Sequence, residues 1–156
     1  MKFEISATPL EKLELKEKLA DPRAGGYVSF EGWVRNRNDG KDVTHLEYQS
    51  YEELAEKEGL KILAEAQEKF DIIDSACVHR ISDLDIGEMA VWVGVSAVHR
   101  GTAFDACEYI IDELKIRVPV WKKEHYTNED GGWIECHECA KHAHKHEHSH
   151  DHTHSH

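Results

Sequence analysis

Ten consecutive residues without a charge, MAVWVGVSAV at positions 89–98, constrain this chain more than any other stretch. Val91, Val93, Val95 and Ala97 recur at every second position, the period of a strand that turns one face to a core. A helix would space its apolar positions three or four apart, so the fold must contain a sheet that includes this strand. The run is also well short of the roughly 20 apolar residues that cross a bilayer as a helix, and a soluble protein is expected. "DIG" at 85–87 is the turn leading into it.

Further elements can be read on either side. "KFEIS" at 2–6 alternates as a short strand. "TPLE" at 8–11 places a hydroxyl at an N-cap, proline at the first helical position and glutamate two places after it, a capping box that predicts a helix with Leu10, Leu13 and Leu19 inside and "DPR" at its end. "GGYVSFEGWVR" at 25–35 alternates Val28, Phe30 and Val34 against Tyr27, Ser29, Glu31 and Trp33, as a half-buried strand does. "NRNDGKD" then reads as a hairpin turn, with residues 43–48 as the partner strand. "SYEELAEKEGLKILAEAQEKF" at 50–70 is a helix with Leu54, Ile62, Leu63, Ala66 and Phe70 inside and Gly59 as its weak point. A strand at 76–81 precedes the uncharged run. After that run Thr102 is expected to cap a third helix, carrying Phe104, Cys107, Ile111 and Leu114 inward and closed by Pro119. A short strand around 133–135 completes the series. Strands and helices mixed in this order predict an α+β single domain, with an antiparallel or mixed sheet and three main helices, rather than a doubly wound parallel sheet.

The 156 residues suffice for one core. Residues 1–135 form the expected domain. From 136 the sequence "CHECAKHAHKHEHSHDHTHSH" has almost no apolar residues, so 136–156 is expected to be a flexible His- and Cys-rich tail. "MKFEISATP" lacks the apolar core of a secretory signal, and the cytoplasm is the expected location. Cys77 and Cys107 fall inside apolar patterns, where a small buried thiol is the ordinary explanation, so no structural disulfide is expected.

A net charge of -12 makes the averaged field repel nucleic acids and anionic membrane surfaces. Against that background "LKIRVPVWKKE" at 114–124 gathers Lys115, Arg117, Lys122 and Lys123 around a proline and a tryptophan. Lys115 near a helix C-terminus is favoured by the helix dipole whatever its role. Lys122, Lys123 and Glu124 follow Pro119 in an extended segment, where they could aim at one point or form a solvated turn. "VHRGTAF" ends a strand in His99 and Arg100 at a helix start, a place suited to an anion, although core hydrogen bonding or an ordinary ion pair would also serve. "GWVRNRNDGK" adds Arg35 and Arg37. Each group ends a different core element, so they could converge on one rim. Ser-His-Asp, P-loop and dinucleotide-fingerprint patterns do not occur.

The joined segments "GWVRNRNDGKDV" and "HRISDLDIGEMAVWVGVSAVHRGTAFDACEYIIDELKIRVPVWKKE", with Trp133, resemble the large, catalytic subunit of molybdopterin synthase, over residues 3–135. The resemblance implies an α/β-hammerhead fold and a homodimer within a heterotetramer. The partner would be a ubiquitin-like small subunit whose C-terminal Gly-Gly bears a thiocarboxylate. It further implies a sulfurtransferase that moves two sulfurs onto cyclic pyranopterin monophosphate, building the dithiolene of molybdopterin in molybdenum cofactor biosynthesis. Matched positions are Trp33, Val34, Arg35, His99, Arg100, Lys123 and Glu124 for substrate binding, and Lys115 and Lys122 for catalysis. Both reactants are anions, so fixed cations offset their repulsion. Crowding among cations also makes a neutral amine easier to reach, which suits proton transfer or nucleophilic attack. No cofactor is expected for catalysis.

The tail departs from that pattern. Thiolates and imidazoles suit zinc, nickel or copper, and Cys136, His137 and Cys139 have ligand spacing. The competing function is a non-enzymatic metal-binding or metal-delivery protein acting through a transition metal on this tail. A third is an adaptor that binds a ubiquitin-like partner without chemistry.

Overall fold

The computed structural model describes residues 1–126 and 130–135. All nine residues of the strand Met89–Ala97 are buried, because both of its faces are covered. Val91, Val93, Val95 and Ala97 face two helices, as their period predicts. Trp92 and Met89 face the other way, against Leu10, Leu15 and Leu19.

In chain order the strands are β1 (Lys2–Ser6), β2 (Gly26–Trp33), β3 (Arg37–Asn38), β4 (Lys41–Ser50), β5 (Asp74–Arg80), β6 (Ser82–Asp85), β7 (Met89–Ala97), β8 (Val120–Tyr126) and β9 (Asp130–Glu135). Among the described residues two α-helices, α1 (Glu52–Lys69) and α2 (Arg100–Arg117), accompany them. The first sheet has the order β1-β5-β7-β2, and the second β3-β4-β8-β9 with β6 also on β4. β1 and β5 are parallel and the other pairs antiparallel, so the architecture is the mixed-sheet α+β domain expected.

Three readings of the sequence need correction. The "TPLE" segment does not start a third main helix; it forms two 3₁₀ turns, Leu10–Lys12 and Lys16–Leu19. Leu13 is extended between them, which lets Leu10, Leu15 and Leu19 all drop onto the outer face of the first sheet. Glu11 does not close a capping box but accepts the Met89 N–H at 2.7 Å. The hairpin turn is real, with Asp39 and Gly40 both at positive φ, the conformation Asp-Gly tolerates. Its first arm is β3, however, whereas β2 leaves the turn behind a bulge at Gly32/Trp33 and pairs with β7. Thr102 lies inside α2, donating its hydroxyl to the His99 carbonyl at 3.1 Å, and His99 occupies the cap position.

The inward faces shift accordingly. Leu54, Phe30 and Phe104 are exposed, while Ala55 and Gly59 on α1 and Ala103, Ala106 and Ile110 on α2 are buried. Gly59 is no weak point, since a Cβ there would overlap the Phe3 ring.

Candidate functional site

A small cavity opens where α2 ends and β8 begins. Pro119 forces Val118 out of the helical conformation, and the chain bends there from helix to strand. Lys115 sits in the last turn of α2, where backbone carbonyls favour a cation. Lys122 lies two residues into β8, and the bend returns it to the same cavity. Gly32 and Trp33 of β2, Tyr48 of β4 and His79 of β5 line the rest, above an apolar floor that includes Val91 and Leu114. Gly32 fits because a Cβ would meet the Val91 side chain at 2.8 Å. The cavity is about 100 Å³.

Alternation along β8 sorts its charges. Lys122 and Glu124 share one face, and Lys122 Nζ lies 3.3 Å from Glu124 Oε1. Glu124 is 2 % exposed. Asn38 Nδ2 donates to the same oxygen at 2.7 Å, and the Tyr126 hydroxyl donates to Oε2. Burial alone would raise this carboxyl, but the bonds from Tyr126 and Asn38 and the charge of Lys122 outweigh it and hold the group below the ordinary glutamate value. The same bond, with burial, pushes the Tyr126 phenol up to about 12. Lys123 points to the other face, in register with Glu47, and does not line the cavity.

The helix turn carrying Lys115 is anchored to α1. Arg117 donates to both oxygens of Glu65 at 2.7 and 2.8 Å, and the Tyr109 hydroxyl adds a bond of 2.7 Å. Arg117 and then Tyr109 lower the Glu65 carboxyl to about 2.

His79 is 5 % exposed. Its Nδ1 lies 2.8 Å from the Arg80 carbonyl, and its ring meets Tyr48 edge-on at 5.2 Å. Burial pushes the imidazole down to about 4, the Arg80 carbonyl opposes this, and the charge of Lys115 adds to the depression.

The other positions singled out from the sequence fall elsewhere. Trp33 stands at the cavity mouth, 64 % exposed, with its indole N–H on Glu31. Val34 is a core residue, packed with Val43, Leu46, Leu84 and Ala90, and its N–H binds the Glu88 carbonyl. Arg35 follows it on the surface. His99 and Arg100 are exposed at the opposite end of α2. Fifteen residues of helix separate Arg100 from Lys115, about 22 Å at the helical rise. One chain therefore does not bring all three cationic groups to a single rim. Cys136, His137 and Cys139, with the whole 136–156 segment, lie outside the described residues. Among the described residues no three His, Cys, Asp or Glu side chains gather as a metal set. No described helix is long and apolar enough to cross a membrane. Cys77 and Cys107 are free and buried; burial raises both thiols, Cys107 to about 11.

The sequence reading missed His79, Tyr48, Asn38 and Tyr126. His79 had a local signal, a titratable residue two positions after the inward Cys77 on the same strand. Asn38 looked like turn chemistry alone, and its reach to Glu124 depends on the pairing of β3, β4 and β8.

Residues 5–117 match the family described as MoaE protein. The chain belongs to the MoaE family. Within it, a molybdopterin synthase catalytic subunit from Thermoplasma volcanium is 43 % identical over 130 residues, covering 83 % of this chain and 95 % of the relative. One from Bacillus subtilis is 42 % identical over 134 residues, covering 85 % and 84 %. Among solved structures, molybdopterin synthase from Staphylococcus aureus superposes with a TM-score of 0.80 at 36 % identity, covering 85 % of this chain and 96 % of that one. A complex of subunits 1 and 2 of molybdopterin-converting factor from Helicobacter pylori shares the fold, with a TM-score of 0.68 at 23 % identity and coverage of 82 % and 87 %. MoaE membership places the chain among the catalytic subunits of an enzyme of molybdenum cofactor biosynthesis.

Proposed function

We propose that this chain transfers sulfur from the C-terminal thiocarboxylate of a ubiquitin-like small subunit to cyclic pyranopterin monophosphate, twice, to build the dithiolene. The observation that carries the reading is the meeting of Lys115 and Lys122 in one walled cavity, from two elements that the Pro119 bend folds together. Ammonium groups held there offset the repulsion between two anionic reactants, and being fixed before reaction they need little reorganisation. Either lysine can orient the thiocarboxylate, move a proton or trap the acyl group once sulfur has left. Cys77 and Cys107 take no part, because a buried thiol with a raised pKa is not the reactive thiolate.

At about 100 Å³ the cavity holds a narrow chain end but not a bicyclic pterin, since ligand pockets generally run from about 300 Å³ upward. A second copy completes it in this reading. Phe30, Trp33 and Phe104 expose apolar surface that such a copy would cover, and among the described residues β2 is the outer strand of its sheet, paired only with β7. His99 and Arg100, remote from their own chain's lysines, would then serve the neighbouring cavity as the phosphate grip, with Arg35. The small-subunit partner parallels the two-subunit complex named for the Helicobacter pylori neighbour. The test is to mix the purified chain with thiocarboxylated small subunit and cyclic pyranopterin monophosphate and assay for dithiolene. Small-subunit binding without dithiolene would leave an adaptor and overturn the transferase reading.

A further inference from the structure

We infer that His79 is a positioning residue of this site, presenting an unprotonated Nε2 as hydrogen-bond acceptor to the Lys115 ammonium. His79 and Lys115 line the same cavity of about 100 Å³, and the charge of Lys115 is felt at the imidazole. A carbonyl oxygen can only accept, so the 2.8 Å contact between Nδ1 and the Arg80 carbonyl places the ring hydrogen on Nδ1. In the neutral ring Nε2 keeps its lone pair, and it is the one polar atom His79 has left to offer the cavity.

The surroundings lock this arrangement. Arg80 is itself fixed, donating Nε to the Ile81 carbonyl at 3.0 Å and Nη2 to the Asp83 carbonyl at 3.1 Å, so the acceptor of the Nδ1 hydrogen bond is held in place. Tyr48 meets the imidazole edge-on and sets its plane. Burial and the Lys115 charge together keep the ring neutral at physiological pH, so it stays an acceptor and adds no third cation beside Lys115 and Lys122. An acceptor fixed on a central strand narrows the rotamers of a long side chain, which would otherwise lose that freedom at the moment of reaction.

The activity arm of the test rests on the sulfur-transfer reading; a second arm does not. In His79→Asn the carboxamide nitrogen can keep the bond to the Arg80 carbonyl, but nothing replaces Nε2, whereas His79→Gln restores a polar atom near that position. With the full chain and thiocarboxylated small subunit, His79→Asn is expected to lower kcat about tenfold while KM stays within about twofold, and His79→Gln to recover at least about threefold of the loss. A folded Asn variant with kcat within about twofold of the unaltered chain would overturn the inference. The second arm is imidazole 15N NMR on the unaltered chain and on Lys115→Ala. The imidazole assigned to His79, by its absence from the spectrum of His79→Asn, should show an unprotonated Nε2 at neutral pH, and that resonance should move when Lys115 is removed. A protonated Nε2, or no movement, overturns the inference whether or not the chain makes dithiolene.

Discussion

The two ends of α2 carry similar charges in opposite settings. At the C-terminal end Lys115 is half-buried in a walled cavity, and the carbonyls of the last turn stabilise it. At the N-terminal end Arg100 is exposed, no acidic residue occupies the first turn, and the free amides there disfavour a cation. The fold accounts for Lys115 without reference to any ligand, but gives no such account of Arg100. The difference fits the proposed reading, in which an anionic substrate would be met by two half-sites, one supplying reacting groups and one supplying grip.

The sharpest way to break this division is to remove its reacting half. Lys115→Ala and Lys122→Ala should each lower dithiolene formation by about 100-fold or more, with the melting temperature and the state of association unchanged from the unaltered chain, and unchanged turnover in either would take that lysine out of the mechanism. Arg100→Ala should act on KM more than kcat, by about tenfold. Assayed well below KM, where Arg100→Ala keeps about a tenth of the activity, co-expression with Lys115→Ala should return about a quarter of the original, because in the proposed dimer half the assemblies are mixed and each has one intact site. Activity no higher than the mean of the two parents would confine both halves to a single chain.

Smaller effects sharpen the picture at the C-terminal end. Glu124→Gln loosens Lys122 and should lower kcat roughly tenfold. Glu124 is held below its ordinary value, so the stability it contributes is present above that value and is lost as pH falls through the lowered one. Acid unfolding of the Gln variant should therefore depend less on pH over that range. Glu65→Gln frees one end of the Arg117 clamp and should lower the melting temperature by about 2 °C at neutral pH, a difference that closes as pH falls from the ordinary glutamate value toward 2. Truncation at residue 135 should leave sulfur transfer within about twofold; loss of function with the tail would instead favour the metal-delivery reading.

Much of this was legible in the sequence because it depends on period and on proline. The spacing of Val91, Val93, Val95 and Ala97 identifies the central strand and its inward face. Pro119 marks the bend that brings Lys115 and Lys122 together. The capping pattern at residue 8 misled because Leu10, Leu15 and Leu19 gain more by covering Trp92 and Val78 than a local helix gains from its cap. Phe30 and Phe104 broke their expected faces, since periodicity marks which apolar residues share a face but not whether that face is covered by the rest of the chain. The Glu124 network was invisible because Asn38 and Glu124 are 86 positions apart and meet only through sheet pairing.

The parallel pairing of β1 with β5 also bears on how the chain comes to be folded. Phe3 lies opposite Cys77 and rests in the gap left by Gly59, so the opening strand has no place to settle until some seventy-five residues more have left the ribosome. Until then Phe3 and Ile5 stay uncovered on the nascent polypeptide, so the first sheet is expected to close late in synthesis.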